Sequence, residues 1–464
     1  MSKRILALLM IALLALAACQ RQPEVIPTVR PTITPSPMPS ETPIPSVTVE
    51  ATATSEATAE ATAEDAEATA TPSAKQVADA MLQEVVVEAD GEVVIGLAAA
   101  LSGEGLAPLG IDIQRGAELA LAARPVVTVD GVEFTVVLDA QDDTCSADGG
   151  QAVASRFASD EQVVGVVGPM CSSACRAAAP IFDAAGYTTI SPSCTAADLT
   201  TSDYSSFNRA VVSDAFQGVI AAEYIYNTLG VSRIATIHDG SPYGEGLVRV
   251  MSARFEELGG EIVAADAIAV GDTDFRGLLE DIAQEQPDLI YFAGFPAEAA
   301  RIAEQRGDTG LEDVIMMGAD GIRTQEFIDL AGDSAEGVLA STSIAASSEA
   351  LDAFLALYVE TYGEEPPAPF HANAFDATKI LLDAIEATAS VNAEGELVID
   401  RAAISAHVRA LADYQGLTGV LNADGTGELS VADIGISRVT EGAFVQIAIG
   451  SIDDETVVIT ETEQ

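Results

Sequence analysis

From residue 92 onward, short apolar runs alternate with longer segments in which apolar positions recur every three or four residues. The short runs read as buried strands and the longer segments as amphipathic helices. The first series predicts strand 92–101, helix 109–123, strand 133–140, helix 147–159, strand 163–167, a helix opening at Cys171, Ser172 and Ser173, and strand 188–191. A helix over 214–229 leads to a second series: strand 233–238, helix 243–258, strand 261–267, helix 275–285, strand 289–293, helix 297–306 and strand 314–317. Strand 338–342 follows, then helices 350–362, 372–387 and 401–411, and a hairpin-like tail over 422–449. This alternation predicts two doubly wound α/β units. The folded region has about 375 residues, more than one core usually serves. Open α/β sheets bind ligands at the carboxyl ends of their strands, so two such units facing each other predict a cleft.

The first 90 residues follow a different pattern. Lys3 and Arg4 precede an apolar run over 5–18 that is too short for a membrane span and ends at Cys19, which describes a signal peptide over 1–18. Leu16-Ala17-Ala18-Cys19 resembles the bacterial lipobox, which implies lipidation of Cys19. Residues 20–74 are Pro, Thr, Ser, Ala and Glu with almost nothing to bury, so 19–90 is expected to be a lipid anchor and disordered tether. Val77, Met81, Leu82 and Val85 suggest one short helix at its end.

Charge and cysteines narrow the chemistry. The formal charge is −51, and losing Lys3 and Arg4 with the leader takes it to −53, a surface that repels nucleic acid. Besides Cys19 the chain has Cys145, Cys171, Cys175 and Cys194. An even number outside the cytoplasm suggests two disulfides, with three connectivities open. Three histidines and no CxxC pair argue against zinc.

The richest stretch is GVVGPMCSSACRAAAPIFDAAGYTTISPSCT, residues 165–195. Ser172 and Ser173 open a helix, and Ser193 and Thr195 follow the next strand, so hydroxyls and free helix N–H groups share one sheet edge. That chemistry suits a small anion such as a carboxylate, although Ser and Thr are also common helix caps. Asp320 stands just past a strand in MMGADG, where it is either an Asx turn or a carboxylate for an ammonium group. Tyr243, Phe295 and Phe370 fall at strand ends or helix starts, as pocket walls would.

Enzyme readings fare worse. The Cys171-Ser172 turn resembles a nucleophile elbow but lacks GxSxG, and His238, His371 and His407 have no triad neighbourhood. Gly103, Gly105 and Gly110 miss the GxGxxG spacing, and a hairpin turn explains Asn422, Asp424 and Glu428 better than a calcium loop. No enzyme, cofactor or metal site is expected.

IGLAAALSGEGLAPLGIDIQRGAELA, DDTC, VGVVGPMCSSAC, ISPSCTAADLT, HDGSPYGEGL, DLIYFAGFPAE and MMGADG occur in order and at matching spacing. On these motifs the chain from about 92 to 449 resembles the substrate-binding proteins of branched-chain amino-acid ABC importers, the leucine/isoleucine/valine-binding type. The resemblance implies the periplasmic binding protein type I fold: two doubly wound, Rossmann-like α/β lobes joined by a three-segment hinge. Lobe 1 would comprise about 91–212 and 342–416, and lobe 2 about 213–341 and 417–464. It also implies that Ser172, Ser193 and Thr195 bind an α-carboxylate and that Asp320, where many members carry Glu, binds the ammonium. Leu109, Tyr243, Phe295 and Phe370 would line the cleft. The family's disulfide implies Cys145 with Cys171, leaving Cys175 with Cys194. The expected protein is a monomeric, extracytoplasmic, lipid-anchored solute receptor handing a small amino acid to a membrane permease. The alternatives are a sensing module for a receptor kinase and a binder of an amide, urea or small acid.

Overall fold

Two parallel-stranded sheets organise the computed structural model, which describes residues 84–202, 204–429, 433–453 and 456–462. The leader, Cys19 and the tether through residue 83 lie outside the described residues. The first sheet runs Val126–Val129, Val132–Asp142, Glu92–Ala99, Val163–Val167, Thr189–Ser191, Phe207–Arg209, parallel except for its first pair. The second runs Glu261–Ala267, Arg233–His238, Leu289–Ala293, Ile315–Gly318, Leu339–Ser343, all parallel. Three antiparallel strands, Ile434–Thr440, Ala443–Asp453 and Thr456–Glu461, extend it.

In each sheet the first strand of its series lies between the second and third, which makes a topological switch point. Those points fall between Glu92–Ala99 and Val163–Val167, and between Arg233–His238 and Leu289–Ala293. Val163–Val167 and Leu289–Ala293 are buried at every residue, as parallel strands covered on both faces must be. The helix His371–Thr388 returns to the first sheet, and its Ile380, Leu381 and Ile385 share a core with Val93, Ile95 and Leu97.

The chain passes between the two cores at Val211 and Val212, and again after Leu429, since Ile434 already belongs to the second core. The third crossover therefore comes later than the expected 416/417. Asp376 explains the delay: its carboxylate accepts the Leu417 N–H, the Thr418 N–H and the Thr418 hydroxyl at 2.7, 2.9 and 2.7 Å, holding that segment on the first lobe.

Other departures have local causes. Of the helix expected on Val77, Met81, Leu82 and Val85, the first three lie outside the described residues, and Val85 belongs to a strand, Glu84–Val87, paired antiparallel with Leu397–Asp400, whose alternate residues Val85 and Val87 enter the core. Phe207–Arg209 is a strand that hydrophobic patterning hides, because Asn208 and Arg209 are buried polar residues. The helix from Asp214 is α-helical only to Glu223 and finishes as a π turn, Tyr224–Thr228.

Two glycines bring the loops of the first switch point together. Gly168 has φ +107°, and a Cβ there would stand 2.1 Å from the Ala98 carbonyl oxygen. A Cβ on Gly110 would meet the Ala100 carbonyl oxygen at 1.9 Å, so only glycine lets the helix Ala107–Ala123 lie against that strand end. Gly110→Ala should therefore cost about 1–3 kcal/mol by overpacking, read as a lower urea midpoint. An unchanged midpoint would contradict this packing.

Candidate functional site

The loops that leave both switch points meet around a small cavity of about 20 Å³. The first lobe contributes Leu109, Met170, Cys171, Ser172, Ser193 and Phe370, and the second Tyr243, Phe295, Asp320 and Gly321. Phe295 packs against both cores, its ring centroid 5.7 Å from that of Tyr243. Every residue expected in the site is in this lining except Thr195. A larger crevice elsewhere, bordered by Thr200, Ser213 and Glu428, shares no residue with it.

One end of the cavity is built for negative charge. The helix Ser172–Ala184 begins after Cys171 with no side-chain cap, so its first-turn N–H groups and positive dipole end are available there. The Ser172 hydroxyl oxygen accepts the Ala196 N–H at 3.1 Å, and the Ser193 hydroxyl donates to the Met170 carbonyl at 2.7 Å. Ser191 adds a further tie, donating to the Pro169 carbonyl at 2.7 Å and accepting the Cys194 N–H at 2.9 Å. The disulfide Cys145–Cys171 joins the DDTC turn to the first of these loops, and Cys175–Cys194 joins the helix Ser172–Ala184 to the second.

Behind these loops stand the acids of DDTC. Asp142 accepts the Leu101 N–H at 3.0 Å and the Ser102 hydroxyl at 2.5 Å; burial opposes its charge, but these bonds and that from Thr144 bring its carboxyl below the ordinary value. Asp143 accepts the Met170 N–H at 2.8 Å and the Cys145 N–H at 2.9 Å. Burial pushes its carboxyl up to about 6 in spite of those bonds. The motif thus ties the segments that follow Glu92–Ala99 and Val163–Val167 to the end of its own strand.

The opposite end carries buried acid. Asp320 accepts the Gln217 amide at 2.8 Å and the Tyr243 hydroxyl at 3.1 Å, both on Oδ1, while the Tyr243 oxygen accepts the Gly321 N–H at 3.2 Å. Burial pushes the Asp320 carboxyl up to about 6, the two side-chain bonds opposing the rise. Carboxylate at one end, hydroxyls and a helix N-terminus at the other, and Leu109, Met170, Phe295 and Phe370 between them make a two-ended polar site with apolar walls.

A sequence model of the periplasmic binding protein family matches residues 92–443. The chain belongs to this family. The Leu/Ile/Val-binding protein of Citrobacter freundii is 32% identical to it over 249 residues, 53% of this chain and 66% of that protein, just under two thirds of its length. A leucine-binding protein from Thermotoga maritima superposes with a TM-score of 0.70 at 28% identity, covering 77% of this chain and 98% of that one. The branched-chain amino acid transporter substrate-binding protein of Streptococcus pneumoniae, solved with isoleucine, gives 0.68 at 25% identity, over 80% and 100% of the two chains.

In this periplasmic binding protein one buried acid escaped the sequence reading. Asp214 is fully buried, its carboxylate has only the Thr195 hydroxyl nearby and makes no well-aligned hydrogen bond, and its N–H donates to the Thr195 carbonyl at 2.8 Å. Burial first, and then the charge of Asp320, push its carboxyl well above the ordinary value, with Thr195 opposing. Thr195, expected at the cavity surface, is buried beside it. An Asp after Ser213 looks like ordinary helix capping, and nothing in the sequence signals its depth.

The other candidates are dispersed. His238 Nδ1 accepts the Gly240 N–H at 3.1 Å, His371 Nδ1 lies 3.1 Å from Asp112, and His407 sits in the last turn of Arg401–Arg409. Asn422 accepts the Asp413 N–H, Asp424 turns onto Thr426, and Glu428 pairs with Arg209, so the three do not converge. Among the described residues no group of three or more His, Cys, Asp or Glu could hold a metal.

Asp143 has a pH signature. With its carboxyl raised from 3.8 to about 6, the fold holds that proton more tightly than the unfolded chain does. Its stabilising contribution is complete below about pH 4 and is lost as pH rises through 6, a change of about 3 kcal/mol. The unfolding free energy of wild type minus that of Asp143→Asn should fall by that order between pH 4 and 7. A flat difference would contradict the assignment.

Proposed function

We propose that this periplasmic binding protein captures a small amino acid with an apolar side chain, of the branched-chain class, and delivers it to the permease of an ABC importer. The observation that carries the reading is the pairing, within one cavity, of hydroxyls and a helix N-terminus at one end with the buried carboxylate of Asp320 at the other. Ser172, Ser193 and the helix N-terminus bind the α-carboxylate, with Thr195 backing the loop. Asp320 binds the α-ammonium, and Asp214, which burial holds toward its neutral form, neighbours it. The Tyr243 hydroxyl is engaged by Asp320 and Gly321, so the remaining walls offer an aliphatic side chain apolar contact.

Function follows from the division of the site between lobes. Each lobe holds half of the polar contacts, so the ligand binds the closed arrangement in preference and shifts the population toward it. The permease then meets a protein whose shape reports occupancy. Cys19 is proposed as the lipid anchor and 20–83 as the tether that keeps the domain near the membrane. The relatives named for leucine, isoleucine and valine support this ligand class.

L-leucine or L-isoleucine at 100 times Kd should stabilise the protein by about 2.7 kcal/mol in a thermal-shift assay, while L-lysine and L-aspartate leave it unchanged. A response to the charged amino acids alone would overturn the reading. Affinity should also depend on pH. The ammonium requires the Asp320 anion, whose carboxyl titrates near 6 without ligand, so binding below that pH must expel a proton. Titration calorimetry should show affinity falling about tenfold per pH unit below 6 and level above it.

Asp320→Asn should weaken leucine binding about 10- to 100-fold, the loss of one charge-assisted bond. Asp214→Asn should instead raise the stability of the ligand-free protein at neutral pH, by removing a buried carboxyl that must take up a proton on folding, while lowering affinity less. Equal effects of both substitutions would refute the division of roles.

A further inference from the structure

Arg209 is the largest fully buried side chain among the described residues, and its guanidinium divides its bonds between two places. Nη1 donates to the carbonyls of Cys194 and Ala196, at 3.2 and 2.9 Å. Those residues flank Thr195 in the loop that also carries Ser193, and the Ala196 N–H is the donor held by Ser172. Nε donates to Glu428 Oε2 at 2.8 Å, and Nη2 reaches Glu428 Oε1 and, at 3.1 Å, the Thr200 hydroxyl. Thr200 itself donates to Glu428 Oε1 at 2.7 Å.

The backbone repeats this link. The Arg209 N–H donates to the Gly427 carbonyl at 2.9 Å, and the Leu429 N–H to the Arg209 carbonyl at 3.1 Å. Both residues lie at the threshold of a crossover: Val211 is in the first core and Val212 in the second, and Leu429 is the last first-core residue before Ile434 joins the second. One buried cation thus joins the start of two crossovers to the loop proposed to hold the ligand carboxylate.

We propose that Arg209 and Glu428 form a positioning clasp, which fixes the Ser193–Ala196 loop relative to the crossovers and so couples carboxylate binding to lobe closure. The proposal rests on the amino-acid reading above. Neither residue lines the ligand cavity, so both act through the loop. The direction of coupling follows from the geometry. Any rotation of the crossover segments at Arg209 and Glu428 moves the guanidinium, and with it the two carbonyls of the loop. A loop held by ligand resists that motion. Burial of the guanidinium makes the link exacting, because a buried charge that loses its partner is strongly unfavourable. Glu428 also borders the solvent-filled crevice, so a glutamine there has water to complete its bonding.

The test uses the ligand-free full chain with Glu428→Gln and, as the milder substitution, Thr200→Val. Two measurements are made: L-leucine affinity and off-rate, and hydrogen exchange at the Cys194 and Ala196 amides. The clasp predicts faster exchange at those two amides, unchanged exchange in the strand Leu289–Ala293, and leucine affinity lowered at least about tenfold in Glu428→Gln through a faster off-rate. Glu428→Asp, which keeps the charge, should recover part of the affinity. A purely structural pair would lower the melting temperature yet leave leucine affinity within about twofold of wild type, and that result overturns the proposal even if exchange changes. If wild type fails to bind leucine, the ligand reading has failed, and exchange at Cys194 and Ala196 alone decides the clasp: unchanged rates overturn it.

Discussion

Two buried carboxylates are neighbours, Asp320 in the cavity lining and Asp214 outside it, and the rest of the structure is arranged around that constraint. Anions out of water are costly unless paired or hydrogen-bonded. Asp320 is given Gln217 and Tyr243, two neutral donors, while Asp214 has, among hydrogen-bonding groups, only the nearby Thr195 hydroxyl to oppose its burial. Neutral donors only soften the cost; a cation would remove it. On the proposed reading, the acid raised toward protonation serves as a binding device, because its interaction with the ammonium is realised only when the ligand enters. The nearest buried guanidinium, that of Arg209, is committed to Glu428 and to carbonyls.

The opposite end of the cleft is rigid by construction. Its two loops are tied to each other by Ser172, Ser191 and Ser193, the first is tied to the DDTC turn by Asp143 and Cys145–Cys171, and the second is tied to the helix Ser172–Ala184 by Cys175–Cys194. Ordering a loop on binding consumes affinity, so a loop ordered beforehand leaves more of the interaction energy to the ligand. The two halves divide the work: the first lobe offers a preformed anion site, the second a charged site that is relieved by occupancy. Identical topology in both sheets explains why the halves face each other at their switch points.

Much of this was legible in the chain. Fully apolar strands such as 163–167 and 289–293 stand out, and the hydroxyl loops following them mark the sheet edge that carries the site. Seven of the eight pocket residues inferred from sequence line the cavity. What stayed hidden was polar and buried. Asp214 looks like a helix cap, Arg209 sits in a three-residue strand without hydrophobic alternation, and Glu428 belongs to a turn better explained by its glycines. Patterning reports which residues avoid water, so it is silent about polar groups whose burial depends on partners far away in sequence. The late third crossover had the same cause, since Asp376 holds Leu417 and Thr418 across some forty positions.

The central claim is that ligand recognition needs both charges of a zwitterion, one for each lobe. Calorimetry with L-leucine, with its analogue lacking the amino group (4-methylpentanoate) and with its analogue lacking the carboxylate (3-methylbutylamine) tests this directly. The account predicts that leucine binds and that each analogue loses at least about a hundredfold in affinity, two powers of ten for a lost charged contact. Equal binding of 4-methylpentanoate and leucine would contradict it, because Asp214 and Asp320 would then have no part in holding the ligand.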